Sequence, residues 1–198
     1  GVVIHESHES GFAWKDQPAP ETLAEQVLAL DLPLGYRSEI APAAAAFIAS
    51  LAGIADQAAA LFIDYGFPQA EYYHPQRSTG TLMCHYRHHA HDDPFFLPGL
   101  QDITSHVDFS AMARAAAGQG MEVLGYTSQA QFLINCGITD VLSASNVDDT
   151  LRYLAATNAA QRLLSPAEMG ELFKVIAFGR GIGFPLLGFS RGDKTERL

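Results

Sequence analysis

The sequence predicts an α/β fold, in which helices pack against a sheet that contains buried strands. Two apolar runs, Ala58 to Ile63 and Phe173 to Phe178, have the length and continuity of buried strands. Segments rich in helix formers lie before and between them, and Ala43 to Leu51 is the clearest of these. Strands that alternate with helices along one chain are typical of α/β domains.

Composition and charge limit the functions that this chain can have. The 198 residues include 22 acidic and 12 basic side chains, which gives a formal charge of −10 with neutral histidine. A chain with 48% hydrophobic and 17% charged residues can bury a core, so disorder and binding of nucleic acid by bulk charge are both excluded. The longest apolar stretch, Ala41 to Ala55, is too short to span a bilayer. Cys84 and Cys136 form no metal-binding or redox pair, and we expect both to be buried thiols.

The first part of the chain is predicted to contain a hairpin and two helices. Val2 to Ile4 and Phe12 to Trp14 are β-prone runs around a polar turn. Glu21 to Leu30 has the apolar spacing of a short amphipathic helix. A second helix begins at Pro42 and ends at Gly53. Glu39, just before that start, would favour the positive end of the helix dipole.

The apolar run from Ala58 to Ile63 ends in the polar string Asp64-Tyr65-Gly66. Ligands of open α/β sheets bind at the carboxyl ends of strands, so Asp64 occupies a position where chemistry is common. Aspartate and glycine are also frequent turn residues, and a simple exit from the strand explains the same string. Both interpretations stay open at this point.

The rest of the chain is predicted to alternate short strands, loops and helices. Strands or extended segments are expected at Thr79 to Ala90, Ile103 to Phe109, Met121 to Tyr126, Phe173 to Phe178 and Leu186 to Phe189. Helices are expected at Ser110 to Ala117, Gln129 to Asn135 and Val147 to Leu163. The last two apolar runs, joined by a glycine-rich turn, suit an antiparallel pair at a sheet edge.

Histidines are concentrated in one segment, His85 to Asp93, which holds four of the eight. On an extended strand His85, Arg87, His89 and His91 share one face, and the arginine is an unfavourable neighbour for a divalent cation. The string also begins like the His-x-His-x-Asp-His signature of metallo-β-lactamase-like hydrolases, but the final histidine is missing. A metal-dependent hydrolase is therefore an alternative, and a polar face that protonates below neutral pH is the favoured interpretation.

A second candidate for chemistry is the string His106-Val107-Asp108-Phe109. The period of a strand puts His106 and Asp108 on one face, so a proton acceptor and a carboxylate would project together. Asp108 is also expected to cap the helix that follows. The Gly179 to Gly183 segment is expected to be a turn, because no Lys-Ser or Lys-Thr follows it.

Several strings of the sequence agree in order with one family. They are Leu34 to Ile40 followed by Pro42, Leu61 to Gly66, Thr79 to Leu82, Asp93-Pro94 with Pro98-Gly99, Asp102 to Phe109, and Gln131 to Leu133 with Gly137-Ile138. The chain resembles the C-terminal half of the MidA family of S-adenosylmethionine-dependent methyltransferases. Mitochondrial members of that family methylate an arginine of a respiratory complex I subunit.

The resemblance implies a seven-stranded class I (Rossmann-like) methyltransferase sheet with helices on both faces. This chain would supply the fifth strand, the edge hairpin and insertions on the substrate side. Residues 1–57 would form an insertion with a hairpin and helices, and residues 58–198 would form the C-terminal half of the methyltransferase domain. The glycine-rich loop that approaches S-adenosylmethionine has no counterpart here. We therefore expect a fragment that has lost its beginning, that binds the cofactor weakly or not at all, and that is inactive by itself.

The resemblance also implies roles for individual residues. Methyl transfer to a guanidinium is an in-line displacement, so the enzyme aligns donor and acceptor and surrounds the cationic acceptor with carboxylates. Asp64 and Asp108 are expected to orient the acceptor, and His106 is expected to accept a proton. The expected substrate-binding residues are Tyr65, Gly66, Glu39, Phe109 and Gln129.

The expected partner is a protein with a target arginine, without nucleic acid and without a membrane. Formation of a homodimer is an alternative that the sequence leaves open. The expected location is the cytoplasm for a bacterial-type protein, or the mitochondrial matrix if a leader was lost. A non-catalytic assembly module is a further alternative, which would have kept the shape of the family without its chemistry.

Overall fold

The structure is a computed structural model that describes residues 2–7, 11–144 and 150–198. The chain forms two compact units and passes between them three times. One unit contains Gly1–Glu39 and Tyr73–Ser105, and the other contains Ile40–Tyr72 and His106–Leu198. The sequence analysis divides the chain differently, into an insertion (1–57) and the C-terminal half of a larger domain (58–198). That division stays a prediction.

The described residues contain nine strands and seven α-helices, connected by loops and 3₁₀ turns. The strands are β1 Val2–Ser7, β2 Gly11–Asp16, β3 Ala58–Phe67, β4 Met83–Tyr86, β5 His89–His91, β6 Asp102–Thr104, β7 Val107–Asp108, β8 Glu122–Ser128 and β9 Phe173–Arg180. The helices are α1 Glu21–Leu28, α2 Pro42–Ala52, α3 Gln69–Tyr72, α4 Phe109–Gly118, α5 Gln129–Asn135, α6 Ile138–Ser143 and α7 Thr150–Leu164. The predicted start of the last helix, at Val147, lies outside the described residues. Helix α6 was not predicted.

The larger unit is built on a mixed sheet with the strand order β7-β3-β9-β8. Strand β9 runs antiparallel to both β3 and β8, and β7 pairs in parallel with the carboxyl end of β3. Helices α2 and α4 pack on one face around a core that includes Ile48, Phe109, Tyr126 and Phe178. A smaller cluster on the other face includes Val175, Ala177 and Phe189. The predicted α/β fold is confirmed.

Strand β3 is more exposed than its sequence predicts. Leu61 and Ile63 keep 48% and 47% of their surface exposed, whereas their partners on β9, Ala177 and Val175, are fully buried or nearly so. Only the last two residues of β3 pair with β7. The rest of that edge therefore has no neighbouring strand among the described residues. The prediction that this strand is buried on both faces is wrong for the chain described here.

The histidine-rich segment of the smaller unit forms a hairpin instead of one extended strand. Arg87 and His88 both have positive φ, 48° and 67°, and they make the turn between β4 and β5. His85 pairs with Ala90, while His91 pairs with Cys84. Directly opposed residues share a face, so His85 lies on the opposite face from His91. The prediction of a common histidine face is wrong, because the two turn residues reverse the chain.

The apolar run near the carboxyl terminus is also not a strand. Residues Leu187–Phe189 form a turn of 3₁₀ helix, and the Phe189 ring covers Gly125 so closely that a Cβ there would lie 2.1 Å from Phe189 Cγ. Strand β9 pairs with β3 and β8 instead. The predicted antiparallel pair is therefore wrong, because the side chain of Phe189 fills the smaller core. Cys136 is exposed, contrary to prediction, whereas Cys84 is buried.

Arg180, at the end of β9, forms hydrogen bonds at the carboxyl ends of two helices. Its guanidinium donates to the carbonyl of Ala52 at 3.1 Å, at the end of α2, and to the carbonyls of Gln119 and Gly120, which follow α4. Carbonyl groups at the end of a helix lack partners within the helix.

We expect Arg180→Met to lower the free energy of unfolding by about 1 to 3 kcal/mol, because it leaves these carbonyls without the charged donor. Urea unfolding measures this change. The matched control is Arg191→Met, since Arg191 is exposed and the variant should unfold like the unmodified protein. Equal destabilisation by both variants would contradict the role of Arg180.

Candidate active site at the carboxyl end of strand β3

Asp64 lies near the carboxyl end of β3 with its carboxylate open to solvent. Its Oδ1 accepts the backbone N–H of Tyr65 at 2.8 Å, and it forms no ion pair with another described residue. A carboxylate in this state retains lone pairs for a cationic ligand. The structure therefore leaves Asp64 where a guanidinium could reach it.

Gly66 lets a second segment approach the end of β3. A Cβ at this position would lie 2.1 Å from the carbonyl oxygen and 2.8 Å from the nitrogen of Val107. Gly66 pairs with Val107, and Phe67 pairs with Asp108. Backbone atoms cannot move aside as a flexible side chain can, so only glycine permits this pairing. The observed contribution of Gly66 is to bring the segment with His106 and Asp108 to the strand end.

The imidazole of His106 lies against two aromatic rings of β3. Its centroid is 5.6 Å from that of Tyr65 and 5.2 Å from that of Phe67, with interplanar angles of 67° and 66°. Tyr65 in turn contacts Phe173 of β9 at 5.2 Å. Edge-to-face geometry at these distances is favourable. The structure thus brings the predicted residues His106 and Tyr65 together.

Asp108 caps helix α4, as predicted. Its Oδ1 accepts the N–H of Ala111 at 2.9 Å, and its Oδ2 lies 3.8 Å from Nη2 of Arg114. The carboxylate is largely buried, with 13% of the side chain exposed. Burial raises the pKa of Asp108, and the hydrogen bond from Ala111 and the charge of Arg114 oppose that rise only in part. A buried carboxylate of this kind gains from the approach of a further cation.

Three of the predicted substrate-binding residues, Phe109, Gln129 and Glu39, contact other parts of this chain. Phe109 is completely buried and packs on Tyr126 at 5.4 Å, so it has no surface for contact with an acceptor. Gln129 is 5% exposed, and its amide donates to the carbonyl of Leu163 at 3.0 Å.

Glu39 belongs to the smaller unit. Its carboxylate accepts hydrogen bonds from the backbone of Thr81 and Leu82 and from the Thr81 hydroxyl, at 3.0 to 3.2 Å. A Cβ on Gly80 would lie 2.3 Å from Glu39 Oε1, so the carboxylate is closely enclosed. These contacts fix a loop of the smaller unit, and the predicted interaction with the dipole of α2 stays a prediction.

Three residues near the carboxyl end of β3 were missed by the sequence analysis, namely Phe67, Phe173 and Lys174. Phe173 and Lys174 pair with Tyr65 and Asp64 across the β3–β9 ladder. Nζ of Lys174 lies 6.0 Å from the centroid of the Phe67 ring. Burial lowers the pKa of Lys174, and the negative charge of Glu171 opposes that shift only in part. The start of β9 was predicted, but its pairing with β3 was not, and only that pairing would have identified these neighbours.

The described residues give no support to the alternative of a metal site. No three of their histidine, cysteine, aspartate or glutamate side chains cluster closely enough to hold a metal ion. In the part of the chain that the structure covers, no helix is both long and apolar enough to cross a membrane.

Comparisons with known proteins identify the family to which this chain is similar. Residues 1–127 match a family described as putative S-adenosyl-L-methionine-dependent methyltransferase. The chain is 37% identical to the mitochondrial protein arginine methyltransferase NDUFAF7 of Danio rerio over 122 residues, which is 60% of this chain and 26% of that protein. The human NDUFAF7 is 36% identical over 124 residues, with 60% of this chain and 25% of that protein covered.

Two crystal structures from Burkholderia thailandensis resemble the whole chain, with 52% identity and a TM-score of 0.93. One is a likely methyl transferase of the COG1565 superfamily bound to S-adenosyl-homocysteine, and this chain covers 51% of it. The other is a native crystal structure of a member of the same superfamily, of which the chain covers 53%. The chain thus spans about half the length of these solved relatives, and its matched part spans about a quarter of the curated ones.

Proposed function

We propose that this chain, which belongs to the family of putative S-adenosyl-L-methionine-dependent methyltransferases, forms the acceptor side of an enzyme that methylates an arginine of a partner protein. The names of the curated relatives support arginine as the acceptor. The bound S-adenosyl-homocysteine of a solved relative supports the donor, since it is the donor without its methyl group. The proposal rests mainly on the relative that binds S-adenosyl-homocysteine, and Asp64, His106 and Asp108, near the carboxyl end of β3, are the candidate residues of the acceptor site.

The proposed roles follow from the contacts of each side chain. Asp64, exposed and without an ion pair among the described residues, would bind and orient the guanidinium of the acceptor. Asp108 would add a second negative charge from a largely buried position. His106 would accept the proton that the guanidinium loses on methylation. S-adenosylmethionine, when bound, supplies an electrophilic methyl group, and alignment with the acceptor nitrogen accounts for much of the rate.

The described residues fit the cofactor only in part. They provide acidic and aromatic side chains at the strand end, but their glycine-rich segment, Gly179 to Gly183, starts within β9 and is followed by a 3₁₀ turn at Leu187–Phe189 and not by an α-helix. The open edge of β3, with exposed Leu61 and Ile63, suits a further strand with apolar cover. We propose that another part of the protein pairs there and holds most of the donor.

We expect the intact protein to bind S-adenosylmethionine at least about 100-fold more tightly than the 198-residue chain, which is about 2.7 kcal/mol. Isothermal titration of both proteins measures this difference, and circular dichroism of the chain checks that it is folded. Equally tight binding by the folded chain would contradict a donor site held mainly elsewhere.

Mass spectrometry of candidate acceptor proteins, incubated with the intact enzyme and a labelled donor, tests the choice of arginine. Label on arginine would support the proposal, whereas label on another residue would keep a methyltransferase and reject arginine. Donor binding without transfer to any acceptor would favour the non-catalytic assembly module. The formal charge of −10 favours a basic partner protein. The proposed location is the cytoplasm or the mitochondrial matrix.

A further inference from the structure

Phe67 holds a position beside His106 that none of the proposed roles explains. Its ring lies at the end of β3, where the strand pairs with Asp108 of β7. It has no group that can transfer a proton, yet it contacts the imidazole on one side, and Lys174 lies over its ring. Because the Phe67 ring takes no part in proton transfer, its contribution must come from its packing contacts.

Ring contacts restrict the orientation of the His106 imidazole. The backbone of the next residue, Val107, is fixed by its pairing with Gly66. That pairing does not fix the plane of the imidazole, because the χ2 torsion of histidine is broad. Tyr65 and Phe67 approach it edge-on at nearly equal angles and distances. Rotation of the imidazole would disturb both contacts, so the two rings together select one plane.

Both rings are themselves supported from β9. Phe173 packs against Tyr65 with an interplanar angle of 80°, and the ammonium of Lys174 lies 6.0 Å from the Phe67 centroid, within reach of a cation–π contact. The five side chains form a continuous series, listed in contact order as Phe173, Tyr65, His106, Phe67 and Lys174. All five are partly buried. The imidazole thus occupies the middle of a supported group of rings.

We propose that Phe67 is a positioning residue that fixes the plane of the His106 imidazole toward the acceptor. Tyr65 supplies the other contact, and the ammonium of Lys174 lies over the Phe67 ring. This inference rests on the proposed function, since it takes His106 as the proton acceptor. It adds a residue that would act on catalysis through its contact with His106.

The test compares Phe67→Leu with Phe67→Tyr in the intact enzyme. Leucine keeps an apolar side chain without a ring, and tyrosine restores the ring. We expect kcat to fall at least about tenfold in Phe67→Leu, because displacement of a catalytic group by about 1 Å can cost about 100-fold. The KM for the donor should not change, and Phe67→Tyr should recover most of kcat. Phe67→Met, with an unbranched side chain, replaces the leucine variant if that variant does not fold.

A double-mutant cycle separates positioning from general structure. His106→Gln should lower kcat by about 10²- to 10⁴-fold. Phe67→Leu added to His106→Gln should then change kcat by less than about twofold, because residues that act through one group are not additive. Full additivity of the two losses would overturn the inference.

NMR of protein labelled with ¹³C-histidine gives a readout that does not need activity. The His106 ring signals, assigned by their loss in His106→Gln, should move in Phe67→Leu and stay in place in Phe67→Tyr. The control is Phe96→Leu, since the Phe96 ring contacts His91 edge-on at 5.4 Å and its loss should move the His91 signals only. Unmoved His106 signals would overturn the inference and leave the proposed function intact. Moved signals with unchanged kcat would reject His106 as proton acceptor, and the inference with it.

Discussion

Replacing Asp108 by asparagine in the intact enzyme is expected to lower methyl transfer at least about 100-fold without unfolding the protein. The amide oxygen of asparagine can accept the N–H of Ala111 as the carboxylate does, and asparagine caps helices about as well as aspartate. The variant therefore removes a negative charge and little else. Loss of preorganised charge at a reacting centre typically costs about 10²- to 10³-fold in rate.

Two measurements accompany this variant. Transfer of labelled methyl to an arginine-containing acceptor gives the rate, and urea unfolding gives the stability. Ser128→Ala is a matched control, because Ser128 caps α5 through a longer bond to the N–H of Gln131, 3.5 Å, and should affect stability more than rate. Retained transfer by the Asp108 variant would remove Asp108 from the acceptor site.

The pH dependence of stability gives a separate check on Asp108. Burial raises its pKa in the folded protein, so the folded state binds the proton more tightly than the unfolded chain. The free energy of unfolding of the unmodified protein should therefore fall, relative to Asp108→Asn, as pH rises from about 4, the ordinary aspartate value, through the raised pKa. Above the raised pKa the difference should be constant. A difference that grows in the opposite direction would contradict the burial of this charge.

Gly66→Ala is expected to have the largest effect on stability, a loss of about 3 kcal/mol in the free energy of unfolding. The new Cβ would meet the backbone of Val107 at 2.1 Å, and the pairing of β3 with β7 would have to open. Because that pairing holds the segment with His106 and Asp108, we expect methyl transfer to be lost as well. Urea unfolding and the transfer assay measure the two effects.

The control for this variant is Gly118→Ala at the end of α4. A Cβ there meets nothing within 4 Å, and alanine favours a helix over glycine by up to about 1 kcal/mol. The control should therefore be neutral or stabilising. Equal stability of Gly66→Ala and the unmodified protein would show that β7 can shift without cost.

Much of the local structure could be predicted because its causes lie within a few residues. Helix α5 has the predicted bounds, Gln129–Asn135, and α2 begins at Pro42 as expected. The cap at Asp108 could be predicted for the same reason, since its partner is only three residues away. Asp64 could be placed at a strand end from the sequence alone, because the apolar run stops there.

The rest depended on contacts between distant segments. The hairpin at Arg87-His88 has positive φ at two residues that carry no turn signal, so the shared histidine face could not be tested from the sequence. The sequence predicts Phe189 to lie in a strand, but its ring covers Gly125 in the smaller core. Glycine at position 125 indicates a close approach without indicating which ring makes it.

The sequence by itself determined the α/β class, the family and the short-range elements, because apolar periodicity, caps and ordered motifs are local properties of the chain. Only the tertiary structure decided which side chains meet at the carboxyl end of β3. Phe173 and Lys174 reach the end of β3 through the antiparallel ladder with β9. Val107 reaches it because Gly66 has no Cβ. Strand pairing and close backbone approach join segments far apart in sequence, and no local pattern specifies both partners.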